Sequence, residues 1–243
     1  MRTLTLLMAL MLGLLTVPGE ENSSLAKKNG YVINLDRAEK LEKMTYSSLF
    51  SKAGIIVLED TDESLLGKVD KLEVCDNNLY VLEKGRGLFL FNKQGKFIKM
   101  IGRKGKGPGE YIDPDDISID RENKKIYVLD SQTQNVLKYS GNGTFESSFK
   151  LENKGTRSTF IQPFKNALYT NLYTFDKSGK RFLLSKVDVT NGKRISFQFE
   201  ASQYNKGWNE LFSTNQHTFI SGPTGNPKFM QIFMDTIFEI TPK

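Results

Sequence analysis

One pentapeptide occurs twice in related form. Leu79-Tyr80-Val81-Leu82-Glu83 returns as Ile126-Tyr127-Val128-Leu129-Asp130, 47 residues further on. The spacing around it is kept as well. Phe91, Gly95 and Phe97 reappear as Tyr139, Gly143 and Phe145 at an offset of 48, so the second copy holds one extra loop residue. A fainter third copy runs from Val187 to Ile195, where Gly192 answers Gly95 and Ile195 answers Ile98, both 97 residues on. Self-similarity at about 40–50 residues, with some four strands per unit, marks the blades of a β-propeller. A lone sheet of this kind exposes both faces, so neighbouring units must stack.

Within the first unit the pattern predicts strands over Asp70–Val74, Leu79–Glu83, Leu88–Asn92 and Phe97–Ile101. The second unit predicts Asp116–Asp120, Ile126–Asp130, Val136–Tyr139 and Thr144–Leu151. Turns such as Asp76-Asn77-Asn78 and Lys93-Gln94-Gly95-Lys96 carry the Gly and Asn that tight hairpins require. The 17 Phe and 9 Tyr against one Trp lean the same way, since Phe and Tyr favour strands. The expectation is an all-β chain, a β-propeller of four-stranded antiparallel blades over residues 46–243. At that length about four blades fit, as an open arc or partial propeller.

Upstream the chain reads differently. Arg2 is followed by an uncharged, largely apolar run from Leu4 to Val17, the length of a secretory signal core. Residues 1–19 are read as a signal peptide and 20–45 as a polar leader. No second long apolar run follows, so no membrane span is expected in the mature chain. Cys75 is the sole cysteine, which excludes an intramolecular disulfide and a cysteine-built zinc site. Export without disulfides fits a bacterial envelope.

The stretch from Gly102 to Tyr111, with Ile117–Asp120, Ile126–Asp130 and Gly141–Phe145, resembles the NHL-type propeller repeat. Ile56–Gly67 and Asp235–Ile240 narrow the resemblance to six-bladed β-propeller proteins of Gram-negative envelopes, often lipoproteins of unknown function. The resemblance implies a periplasmic or envelope location and a chain shortened by two blades. It also implies a lipid-bearing cysteine after the signal, but Val17-Pro18-Gly19-Glu20 offers none. In full-length propellers of this type the strand near Ile55–Leu58 pairs with a C-terminal blade. Without that partner, Ile55–Leu58 and the final strand Thr236–Ile240 are expected as free edges open to self-association.

No catalytic constellation emerges. The Gly-rich loop 102–111 lacks the helix that a phosphate loop must open, because Pro108 and Gly109 lead into a strand. His217 is the only histidine, so a histidine metal cluster is excluded and no nucleophile motif accompanies it. The inner-strand acids Asp70, Glu73, Asp116 and Asp120 leave open an all-oxygen metal site, and with it a propeller-type hydrolase or lyase. Asp near strand ends more often serves turns. Trp208 reads as a core cap, with sugar stacking as the alternative. A net charge of +6 comes from scattered lysines rather than a basic stripe, so no nucleic-acid partner is expected.

Strand alternation puts the second turn of each blade and the inter-blade loops on one rim. Lys84, Arg86, Arg103, Lys104, Lys106, Lys154 and Arg157 are thereby placed together. They form the candidate ligand site, suited to an anionic glycan or an acidic protein. No cofactor is expected, and the function read from the sequence is an exported binding or scaffold module without enzymatic activity. A shortened remnant without intact function is the remaining reading.

Overall fold

Alternating apolar strands joined by tight turns fold into consecutive antiparallel sheets, each a simple meander. The computed structural model describes residues 45–153, 155–174, 180–204, 218–221, 225–231, 234 and 236–242. The expected signal peptide, nearly all of the leader, Lys154, Trp208 and His217 lie outside these residues. The chain divides into two compact units, 1–56 and 57–243. The described part of the first carries one short helix, α1 (Tyr46–Leu49).

In the second unit the first sheet is β1 (Lys71–Cys75), β2 (Asn78–Glu83), β3 (Gly87–Asn92) and β4 (Phe97–Ile101), in that order. A parallel two-residue ribbon follows, β5 (Arg103–Lys104) with β6 (Glu110–Tyr111). The second sheet is β7 (Pro114–Asp120), β8 (Lys125–Asp130), β9 (Asn135–Ser140) and β10 (Phe145–Lys150). Next come β11 (Thr156–Arg157), β12 (Ile161–Phe164), β13 (Ala167–Asn171), β14 (Tyr173–Thr174), β15 (Phe182–Asp188) and β16 (Arg194–Glu200). Of these, β12, β13, β15 and β16 make the third sheet and β11 pairs with β14. The fourth sheet has three short strands, β17 (Phe219–Ile220), β18 (Lys228–Phe229) and β19 (Phe238–Glu239). Four antiparallel sheets in sequence form a four-bladed β-propeller arrangement, where the resemblance implies six.

The repeats map onto equivalent places. Gly95, Gly143 and Gly192 each close the turn before a fourth strand, with φ of 84°, 79° and 76°. The third copy is therefore real, and its second strand is Ala167–Asn171, whose Leu168-Tyr169 stands where Leu79-Tyr80 and Ile126-Tyr127 stand. Two expectations are corrected. Strand structure begins at Lys71 rather than near Tyr46, and residues 55–58 form no strand, with Ile55 and Val57 exposed. The stretch that precedes β1 is instead tied to the first sheet at points. Glu59 N–H donates to Gly95 O at 2.8 Å, and Glu59 Oε2 accepts the N–H of Phe97 at 2.8 Å.

Three apolar cores join the four sheets in order. Leu88, Leu90 and Ile101 meet Ile117, Ile126, Val128 and Leu137 between the first and second sheets. Leu129, Val136 and Phe149 meet Ile161, Leu168 and Val187 between the second and third. Tyr169, Leu184 and Ala201 meet Phe229 and Ile240 between the third and fourth. Among the described residues no core cluster joins the fourth sheet to the first. Leu79, Val81, Phe89 and Phe91, on the other face of the first sheet, are also buried.

Asp116 keys three sheets together near their inner strands. Its carboxylate accepts from Lys71 Nζ at 2.7 Å in the first sheet and from the N–H of Ile161 at 2.8 Å in the third. A buried carboxylate persists only with such partners, because desolvating an unpaired charge costs several kcal/mol.

Candidate functional site

The turn between the second and third strands of one sheet touches the loop that leads into the next. Gly85 N–H donates to Asp113 Oδ1 at 3.2 Å, and Lys84 Nζ lies 3.6 Å from Asp115 Oδ1. One sheet further on, Arg157 donates to Ser131 O at 2.7 Å and Gln132 O at 3.1 Å. The expected cations thus do share this kind of turn-to-loop contact, but most are engaged. Arg86 donates to Leu65 O, lies 3.2 Å from Glu83 Oε2 and covers the Phe89 ring at 5.1 Å. Arg103 Nε meets Glu110 Oε1 at 2.5 Å. Lys84, Arg86 and Arg103 each have an acidic partner, and Arg157 is held by carbonyls, so four of the seven expected cations are engaged within the fold. Lys104 and Lys106 are exposed and have no acidic partner among the described residues. Lys154 lies outside them.

The loop over residues 102–111 is built around its own acid. Glu110 Oε2 accepts the N–H of Gly107 at 2.8 Å, and the Gly105 N–H donates to Tyr111 O at 3.0 Å. A Cβ on Gly105 would stand 2.0 Å from Glu110 Oε2, so a larger residue there would displace that carboxylate. The Gly107 amide and the Arg103 guanidinium hold the Glu110 carboxyl below its usual range. The N–H donors of a phosphate cradle are here turned inward onto Glu110. Two tyrosines anchor the loop. Tyr111 O–H donates to Ile101 O at 2.9 Å and accepts from Leu88 N at 3.2 Å, while Tyr139 O–H donates to Gly109 O at 3.0 Å.

Between this loop and the outer strand β10 lies a cavity of about 720 Å³, lined by the cations Lys106 and Lys150, the acids Glu110 and Asp130, and residues including Asn135 and Ser148. The register explains its chemistry. Phe149 stands opposite Val136 in the core toward the third sheet, so their neighbours in each strand face the other way. On that other face Ser148 stands opposite Leu137, which is buried against the first sheet, and Lys150 stands opposite Asn135. The face that buries Leu137 and Tyr139 therefore turns polar at its end, where the glycine-rich loop replaces the first sheet as its neighbour. Lys150 is exposed and, like Lys106, has no acidic partner among the described residues. The sequence reading missed Asn135, Ser147, Ser148 and Lys150, because nothing in their residue types marks them before the register is known.

The inner-strand acids are spoken for. Asp116 is bound as above, Asp70 accepts the Lys84 N–H at 2.9 Å, and Asp120 accepts the Asn123 N–H at 3.0 Å in a turn. Glu73 lies 3.8 Å from Lys71 and 3.3 Å from Arg121. Among the described residues no three His, Cys, Asp or Glu side chains converge as metal ligands would.

Residues 30–243 match the model of a family described as a domain of unknown function, DUF4934. The chain belongs to that family. No curated protein matches this DUF4934 chain at a significant level. Among solved structures it is similar to a protein of Bacteroides fragilis inferred to be exported, with 23% identity and a TM-score of 0.60. That likeness covers 76% of the DUF4934 chain and 51% of the other, so the chain spans about half its neighbour's length. A glutaminyl cyclase of Myxococcus xanthus aligns over 69% of each chain at 13% identity and a TM-score of 0.43. A Bacteroides vulgatus member of the DUF4221 family covers 52% of the chain and 41% of its own at 10% identity, with a TM-score of 0.39. The first supports the propeller fold, and the other two are too distant in geometry to carry an argument. No helix among the described residues is long and apolar enough to cross a membrane.

Proposed function

We propose that this protein is an exported, non-enzymatic binding module of the periplasm or envelope of a Gram-negative bacterium, and that it takes an anionic ligand at the cavity beside β10. The observation that carries this is the pair Lys106 and Lys150, which flank the cavity without an acidic partner among the described residues, while its two lining carboxylates, Glu110 and Asp130, are engaged by Arg103 and by backbone N–H groups. Unpaired lysines at a concave site attract anions, and a cavity of this volume is in the range of small-ligand pockets. The neighbour inferred to be exported supports the location, as does the apolar N-terminal run. The outer side of β19 is a sheet edge among the described residues, which favours self-association as a further property.

The test is titration of the full chain with dextran sulfate at low and moderate salt. Binding should weaken as salt rises, and the Lys106→Ala/Lys150→Ala double variant should lose about tenfold in affinity, equivalent to about 1.4 kcal/mol. Lys93→Ala, which removes an exposed lysine from the turn between β3 and β4 and leaves the cavity untouched, should change affinity far less. Equal affinity of the double variant and the wild type would refute the assignment.

A further inference from the structure

Lysines alone do not account for the cavity. Around Lys106 and Lys150 stand the hydroxyls of Thr133 and Ser148 and the carboxamide of Asn135, together with the Phe145 ring; two carboxylates also line the cavity, Glu110 and Asp130, and each already accepts backbone N–H groups. Neither Ser148 nor Asn135 has a side-chain partner among the described residues, so their donors and acceptors are available to a ligand. Phe145 is fixed rather than loose: its ring packs edge-on against Tyr139 at 5.7 Å, and its inner side lies against Gly109. Asn135 and Lys150 are directly opposed across β9 and β10, so an amide and an ammonium sit about 5 Å apart at their Cβ atoms.

The size of the cavity separates two classes of anion. An acidic protein bound stably would need roughly 800 Å² of its own surface covered, which demands a broad face rather than a cleft. A short oligosaccharide needs less. Its hydroxyls pair with hydroxyls and amides, its C–H faces lie on aromatic rings, and its acid groups pair with lysines.

Resting on the reading above, we infer that the ligand is a short acidic oligosaccharide. A sugar carboxylate is held by Lys106 or Lys150, ring hydroxyls by Asn135 and Ser148, and a sugar face by Phe145. The site reads the sugar and the charge together.

Calorimetry on the full chain distinguishes the terms with three probes: a galacturonic acid trisaccharide, its uncharged methyl ester, and tri-glutamate, which offers a similar charge without the sugar. The trisaccharide acid should bind at least tenfold more tightly than either of the others. Asn135→Ala should weaken it several-fold while leaving dextran sulfate binding nearly unchanged, and Ser148→Ala, at an exposed position, should do the same with no risk to folding. Tri-glutamate binding as tightly as the acid would overturn the sugar inference and leave the anionic reading intact. The ester binding as tightly as the acid would overturn the inference because charge would not be read. Failure of all three probes would also overturn it, and the dextran sulfate titration then decides whether the anionic reading falls with it.

Discussion

Asp130 Oδ2 accepts the backbone N–H of Ile112 at 2.7 Å, so the end of β8 holds the chain that leads into β7 of its own sheet. The same device recurs along the repeat. Glu83, at the end of β2, accepts the Gly67 N–H at 3.3 Å, and Asn171, at the end of β13, accepts from Thr159 at 2.9 Å and Phe160 at 2.7 Å. All three side chains are buried. The polar residue at the end of each second strand is thus an anchor between blade and inter-blade loop.

Asp130→Ala should therefore cost about 2–3 kcal/mol, because it strands the Ile112 and Thr133 N–H groups in a buried site. Asp120→Ala, which releases an exposed turn, should cost about 1 kcal/mol or less. Guanidinium unfolding of the two variants checks this, and equal losses would contradict the anchoring role.

Gly102 is a second demanding position. Its φ is +68°, and an added Cβ would stand 2.5 Å from Tyr111 Cε1 and 2.6 Å from Tyr139 Oη. Both rings are buried and cannot retreat. Gly102→Ala should lower stability by about 2 kcal/mol or more, through strain at positive φ and overpacking. A thermal melt within a degree of the wild type would refute it.

Glu73 supplies a pH signature. Burial pushes its carboxyl above the ordinary value of 4.5, with Asp116 acting in the same direction and Lys71 and Arg121 opposing. A raised folded value means that the native state holds the proton more tightly than the unfolded chain. The stabilisation is full below the unfolded value and is lost as pH rises through the folded one. Glutamine stays neutral throughout, so the stability of Glu73→Gln relative to wild type should rise between about pH 4 and pH 7. Chemical denaturation at both ends of that window measures the difference, and a flat or falling difference would contradict the assignment.

Strand positions in the first two sheets were legible to within about two residues, since period-two apolar runs between Gly and Asn turns leave few alternatives. Leu79–Glu83 is found as Asn78–Glu83, and Ile126–Asp130 as Lys125–Asp130. The third sheet was half seen, because its pentapeptide carries Thr170 and Asn171 where the first two have apolar residues, and its first strand carries Pro163. The pairing of the rim cations was not legible for a different reason. Formal charges can be counted along a chain, but the group that neutralises each one often comes from another repeat, as Asp115 does for Lys84. Lys71 and Asp116, 45 residues apart, show the same limit. The cavity depends on which face Ser148 and Lys150 share with Leu137, and that follows from register rather than composition.

The most direct measurement of the central claim is an amide hydrogen-exchange footprint of the full chain with and without dextran sulfate. Ligand at the cavity should slow exchange at residues 104–110 and 147–150 while leaving the turn at Asp76–Asn77, at the other end of the first sheet, unchanged. Protection spread evenly over the lysine-bearing surface, or none at 104–110 and 147–150, would contradict a binding site beside β10.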